Sequence, residues 1–219
     1  MIARRACRGS CVGCRSSENA GGTPATTEER AFTIIEMLVV IMVIFILAAL
    51  VLAASSYVQN KGARARAETE IAAMSAALES YKADNGIYPS TANTNSLTSA
   101  QSDPTSGAYK TASLDLYEAL SGDLDASGST DTNQRSYFTF KPQMLAGPRD
   151  SSGNLTSISY IRDPFGRLDS PNSYGYSTSK NQVANPSGYT SASGNNPTFD
   201  LWSTASDTSG ATAKWITNW

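Results

Sequence analysis

The sequence predicts an α+β protein: one long N-terminal helix packed on a small antiparallel β-sheet head. Three observations point there. An apolar run, "FTIIEMLVVIMVIFILAALVLAA", fills residues 32–54 and carries a single charge, Glu36. A Pro-free stretch rich in Ala, Glu, Lys and Arg then continues to Asn85-Gly86. Beyond it come short aromatic and β-branched runs separated by Ser, Thr, Asn and Gly, which is strand-and-turn chemistry.

Residues 1–31 are polar, with five Arg against three Glu, and they precede the apolar run as a targeting segment does. Cys7, Cys11 and Cys14 all lie here. Their C-x3-C-x2-C spacing suits a metal but lacks a fourth ligand, so the simpler reading is an unstructured segment in a reducing compartment.

As a helix, residues 32–54 reach about 35 Å, enough to cross a bilayer. A carboxylate in that setting costs a few kcal/mol unless it finds a partner. A cut between Ala31 and Phe32 supplies one, because it creates an α-amino group four residues before Glu36. The pair forms within one helix or between neighbouring subunits shifted along their axes. In the second case it sets the register of an assembly.

Residues 55–86 form the water-facing half of the same helix. Ile71, Met74, Leu78 and Tyr81 recur at steps of three and four and make one narrow apolar stripe. Gly62 is the one weak point, and Asn85-Gly86 followed by Pro89 ends the helix. From Phe32 to about Asp84 this is roughly 80 Å of helix.

The head is 87–219. Residues 90–113 read as a loop, and "LDLYEALSG" (114–122) as an amphipathic helix turning Leu116, Tyr117 and Leu120 inward. Strands are expected at 136–140, 157–163, 173–177, 199–203 and 214–219, with "DPFG" (163–166) as a turn. They give one small sheet, one face against the helix stripe. Tyr117, Tyr137, Phe140, Tyr160, Tyr174 and Trp202 are its expected core; Trp215 and Trp219 pack on that core or on a neighbouring subunit.

Chemistry is sparse. The chain has no His and a net charge of −2. It lacks G-x-S-x-G, H-E-x-x-H, G-x-G-x-x-G and phosphate-loop motifs, and 87–219 has no Lys/Arg run for nucleic acid. Asp163 and Asp169 are near in sequence but flank the DPFG turn. A structural role is favoured over an enzymatic one. One loop has cation spacing: Asp123, Asp125, Ser127, Gly128 and Asp131 match the first half of an EF-hand loop, with Gln134 where a bidentate Glu belongs. The competing reading is an ordinary Asp/Ser/Gly turn.

"AFTIIEMLVVIMVIFILAALVLAA" resembles the N-terminal segment of the type IV pilin superfamily, with Phe first after the leader and Glu fifth. The resemblance implies the pilin fold, removal of a cytoplasmic leader (1–31) between Ala31 and Phe32 by a membrane prepilin peptidase, N-methylation of Phe32, and Glu36 guiding filament assembly. The rest, "ALESYKADNGIYPS", "LYEALSG", "YIRDPFGRL", "YGYS", "FDLWS" and "ITNW", is similar to the major pseudopilins of type II secretion systems. That implies a single-pass protein of the bacterial inner membrane with a periplasmic head. It also implies a helical homopolymer working with minor pseudopilins and an inner-membrane assembly platform. Calcium in the C-terminal loop, at Asp207 and Asp200, is implied as well, although no acidic residue follows Asp207. The pattern departs elsewhere: Ala31 stands where Gly is usual, Glu28 and Glu29 where Lys or Arg is commoner, Phe45 for Gly and Ala53 for Pro. The last two favour continuous helix. The near alternative is a type IV pilin of an adhesion, motility or DNA-uptake pilus, against which stands the lack of cysteine after residue 14. The different-class alternative is a membrane-anchored periplasmic binding domain or enzyme.

Overall fold

A computed structural model describes residues 33–166, 171–180 and 194–219, which fall into two units divided between Ala48 and Ala49. Ala31, Phe32 and the three cysteines lie outside the described residues.

Helix α1 spans Ile34–Asn85 without a break, so Phe45, Ala53 and Gly62 are all accommodated in helix. In the first unit its large apolar side chains, Ile34 to Leu47, are all exposed. By length and composition this stretch can cross a membrane.

In the second unit the stripe is buried as expected: Ile71, Met74 and Leu78 enter the core, joined by Ala67 and Ala77, while Tyr81 is half-buried against it. Polar contacts flank the seam. Tyr174 donates to Glu70 Oε2 (2.8 Å), whose other oxygen pairs with Arg66 (2.6 Å). Arg64 donates to the carbonyls of Lys214 and Trp215.

The 90–113 segment is more ordered than its composition suggests. Helix α2 (Ala92–Ser96) is closed by a Thr91 capping box, and α3 runs Gly107–Ser121, starting seven residues before the expected 114. The early start is decided by burial: Tyr109 and Ala112 are fully enclosed in a second small core with Leu97, Trp202 and Trp215.

Among the described residues there are two three-stranded antiparallel sheets where one was expected. The first orders β1 (Leu145–Ala146), β2 (Tyr160–Gly166) and β3 (Pro171–Ser173); the second orders β4 (Gly175–Ser177), β5 (Asp200–Ser203) and β6 (Ile216–Thr217). The strand predicted at 173–177 changes partner at Tyr174: Ser173 faces Arg162, whereas Gly175 faces Trp202.

Two further expectations are corrected. Residues 136–140 form no strand, because the amides of Tyr137 and Phe138 both donate to the Leu120 carbonyl (2.8 and 3.0 Å) and so satisfy the C-terminal end of α3. DPFG does not separate strands. It lies inside β2 as an irregularity between Arg162 and Gly166, where Pro164 offers no N–H and Asp163 accepts from the Phe165 amide (2.6 Å).

Candidate functional site

The first candidate is the start of α1. Thr33 precedes the helix, and the Glu36 amide donates to its Oγ1 (3.2 Å) and to its carbonyl (3.0 Å). Glu36 thus occupies the third helical position after a Thr cap, where its negative charge also suits the positive end of the helix dipole. This local role was legible in "TIIE" and is independent of any assembly role. Glu36 is exposed and has no ion-pair partner among the described residues. Around it, Ile34, Ile35, Met37 and Leu38 face outward together.

The second candidate is the loop after α3. Gly122 ends that helix in the left-handed region (φ 70°), and a Cβ there would sit 2.9 Å from the Arg135 carbonyl. The turn directs Asp123 into the protein, where its side chain accepts from Tyr117 Oη (2.6 Å), the Gly128 amide (2.7 Å) and the Ser127 amide (3.0 Å). Burial opposes the charge of Asp123, but these donors outweigh it and hold the pKa below the usual carboxylate value. Asp125 accepts from the same Ser127 amide (3.0 Å), and Asp131 from the Leu124 amide (2.7 Å). One oxygen from each of Asp123, Asp125 and Asp131 falls within 4.8 Å of the others, so the structure brings together the three predicted carboxylates. Gly128 (φ 96°) takes the position where an EF-hand loop needs glycine. Ser127 Oγ turns instead to Asp123 and Ser129.

In the C-terminal loop the two implied carboxylates are held apart from one another by their own local partners. Asp200 is buried, and its two oxygens are taken by the amides of Asn195 and Asn196 (2.7 Å each); burial pushes its pKa up against those bonds. Asp207 is engaged by the amide and hydroxyl of Ser209 (3.0 and 2.6 Å), which hold its pKa down, and Lys214 Nζ stands 3.5 Å from its other oxygen. That oxygen is buried and has no hydrogen-bond partner among the described residues.

The expected aromatic core is found with adjustments. Tyr117, Tyr160, Tyr174 and Trp202 are buried, whereas Tyr137 and Phe140 are half-buried. All three tryptophans meet: Trp215 stacks on Trp202 (6.3 Å, 3°), and Trp219, 40% exposed, lies edge-on to it (5.9 Å). Tyr109 and Tyr176, absent from the expected core, are fully buried; Tyr109 accepts from the Trp202 indole (2.9 Å) and Tyr176 donates to the Pro89 carbonyl (2.8 Å). Their hydroxyl partners lie 93 and 87 residues away in the chain, which no local pattern reveals.

Among the described carboxyl groups, Asp163 departs furthest from its ordinary value. It is 1% exposed, accepts from Ser203 Oγ (2.5 Å), and is pushed up to about 7 by burial, with the nearby Glu70 charge adding to the rise. Its bond to Ser203 ties β2 to β5.

No family model matches the chain, and no solved structure matches it. Among curated proteins it is similar to the type II secretion system core protein G of Escherichia coli (strain K12), with 38% identity over 67 residues. That match spans 31% of this chain and 46% of the relative, so the chain spans about half the length of the relative it matches. The likeness is to a named core component of a secretion system, over the matched part alone.

Proposed function

We propose that the chain is a structural filament subunit and no enzyme: the major pseudopilin of a type II secretion system, polymerising into a periplasmic pseudopilus that drives protein export. The observation that carries this reading is the first part of α1, a helix presenting apolar side chains outward with one carboxylate in its first turn. The likeness to a type II secretion core protein supports it. In this reading residues 1–31 are a cytoplasmic leader removed by prepilin peptidase, and Phe32 is N-methylated. The 32–54 helix sits in the inner membrane before assembly and in the filament core after it. Glu36 pairs with the Phe32 amine of a neighbour and so fixes the axial step. Minor pseudopilins and the inner-membrane assembly platform are the remaining partners, and cargo moves by mechanical displacement.

The test is intact mass and N-terminal sequence of the chain from membranes of cells with and without prepilin peptidase. The expected product begins at methylated Phe32 only when the peptidase is present. In the same cells Glu36→Ala is expected to cut recovery of sheared filaments about tenfold or more, the effect of losing one charge pair in low dielectric. Uncut chain in both strains, or filaments unchanged by Glu36→Ala, defeats the reading.

In this reading calcium enters at the 123–131 loop. The convergence of three carboxylates supports a weak site there. Millimolar calcium is expected to stabilise the chain by about 1 kcal/mol, a thermal shift of about 3 °C. Magnesium is expected to give less, and Asp131→Asn to remove the shift. An unshifted melt means that the loop is closed by its own hydrogen bonds.

A further inference from the structure

Two oppositely charged surfaces lie on the head, and neither holds an ion pair of its own among the described residues. A groove of about 550 Å³ runs beside β1, β2 and β3, lined by Gly147, Arg149, Ser159, Tyr160, Arg162 and Pro171. Lys110 Nζ lies over the Tyr160 ring at 5.3 Å, bringing a third cation to it. Among the described residues no carboxylate lines this groove, and none of the three cations forms an ion pair. Two carboxylates feel these cations without pairing with them: Asp163, near Arg162, is buried on Ser203, and Asp103, near Lys110, accepts from the Thr105 amide and hydroxyl (2.9 and 2.6 Å). Arg149 spends one N–H on the Gly153 carbonyl (2.7 Å) and keeps its other donors.

The second surface is the C-terminal half of α3. Asp115 and Glu118 stand there, one turn apart and half-exposed, with Asp123 behind them. No cation pairs with either among the described residues; Arg135, which shares a hollow with Glu118, pairs with Asp84 at 2.5 Å. Burial and the charges of Asp115 and Asp123 raise the Glu118 pKa, so an incoming cation would relieve both.

We propose that the Arg149–Arg162–Lys110 groove of one head receives the Asp115–Glu118 face of a neighbouring copy, an inference that rests on the homopolymer reading above. The contact joins two different surfaces, and a head-to-tail contact of that kind generates an open helical array where a self-complementary one gives closed dimers. Opposed charges select that register and repel the alternatives in which like surfaces meet.

The test uses the full chain with Cys7, Cys11 and Cys14 replaced by Ser. One copy carries Ser159→Cys in the groove and the co-expressed copy Ala119→Cys beside Glu118. Oxidation of isolated membranes is expected to link the two copies, and neither alone. Arg149→Glu with Arg162→Glu in the first copy should lower the yield about tenfold, and Asp115→Lys with Glu118→Lys in the second should restore it, which also shows that the reversed chains fold. A yield indifferent to charge reversal, or no link while filaments are visible by electron microscopy, overturns the proposal and leaves the assembly reading standing. Absence of both filaments and amine-reactive cross-links overturns the assembly reading itself, and this contact with it.

Discussion

Gly175→Ala is expected to destabilise the head strongly. Gly175 in β4 faces Trp202 in β5 directly across the ladder, and a Cβ on it would lie 2.3 Å from Trp202 Cε2 and 2.5 Å from Cζ2. The indole has nowhere to retreat. Trp215 stacks on one side, Trp219 abuts its edge, and its N–H is bonded to Tyr109. Overpacking of this kind costs about 3 kcal/mol or more, a fall in Tm of about 10 °C. The measurement is a thermal melt of the detergent-solubilised full chain, followed by tryptophan emission. All three tryptophans belong to this one cluster, so the signal reports it directly. Gly62→Ala is the internal control: nothing lies within 4 Å of its added Cβ, and it replaces a helical glycine, so stability is expected to rise by up to about 1 kcal/mol. A Gly175→Ala melt matching wild type would show that β4 and β5 do not meet at this register.

Stability is expected to fall as pH rises from about 4 to about 7, with Asp163 the largest single cause. Its folded pKa of about 7 stands above the ordinary 3.8, so between those values the folded state holds a proton that the unfolded chain has released. Raising the pH through that window therefore favours unfolding, by as much as about 4 kcal/mol if the whole shift is realised. The groups around it are Ser203 and the Phe165 amide as donors, Arg162 beside it, and Glu70 from α1, itself held by Arg66 and Tyr174. Asp200 and Glu118, also raised, act in the same direction. Asp103, Asp123, Asp150 and Asp207 are lowered, so their contribution is lost only as pH falls below the window. Asp163→Asn removes the largest component. Its Tm relative to wild type is expected to climb steadily between pH 4 and pH 8 in denaturation series on the two chains. A constant difference across that range would mean that Asp163 does not titrate there.

The sequence by itself determined the long helix, its apolar first part, its buried stripe and its stop, because each depends only on residues a few positions apart. Ile71, Met74 and Leu78 announce their common face through spacing alone, and Glu36 its exceptional place through the residues around it. The three carboxylates of the 123–131 loop were legible for the same reason. Only the tertiary structure decided where α3 begins, since Tyr109 is helical and buried on account of Trp202, far along the chain. It decided that 136–140 serves the end of α3 and is no strand, because the free Leu120 carbonyl outcompetes any sheet edge for those amides. It divided one predicted strand between two sheets at Tyr174. It also turned the DPFG motif from a turn into a bulge that buries Asp163 against Ser203. These outcomes depend on which distant groups meet, and desolvation and long-range hydrogen bonds leave no period in a sequence.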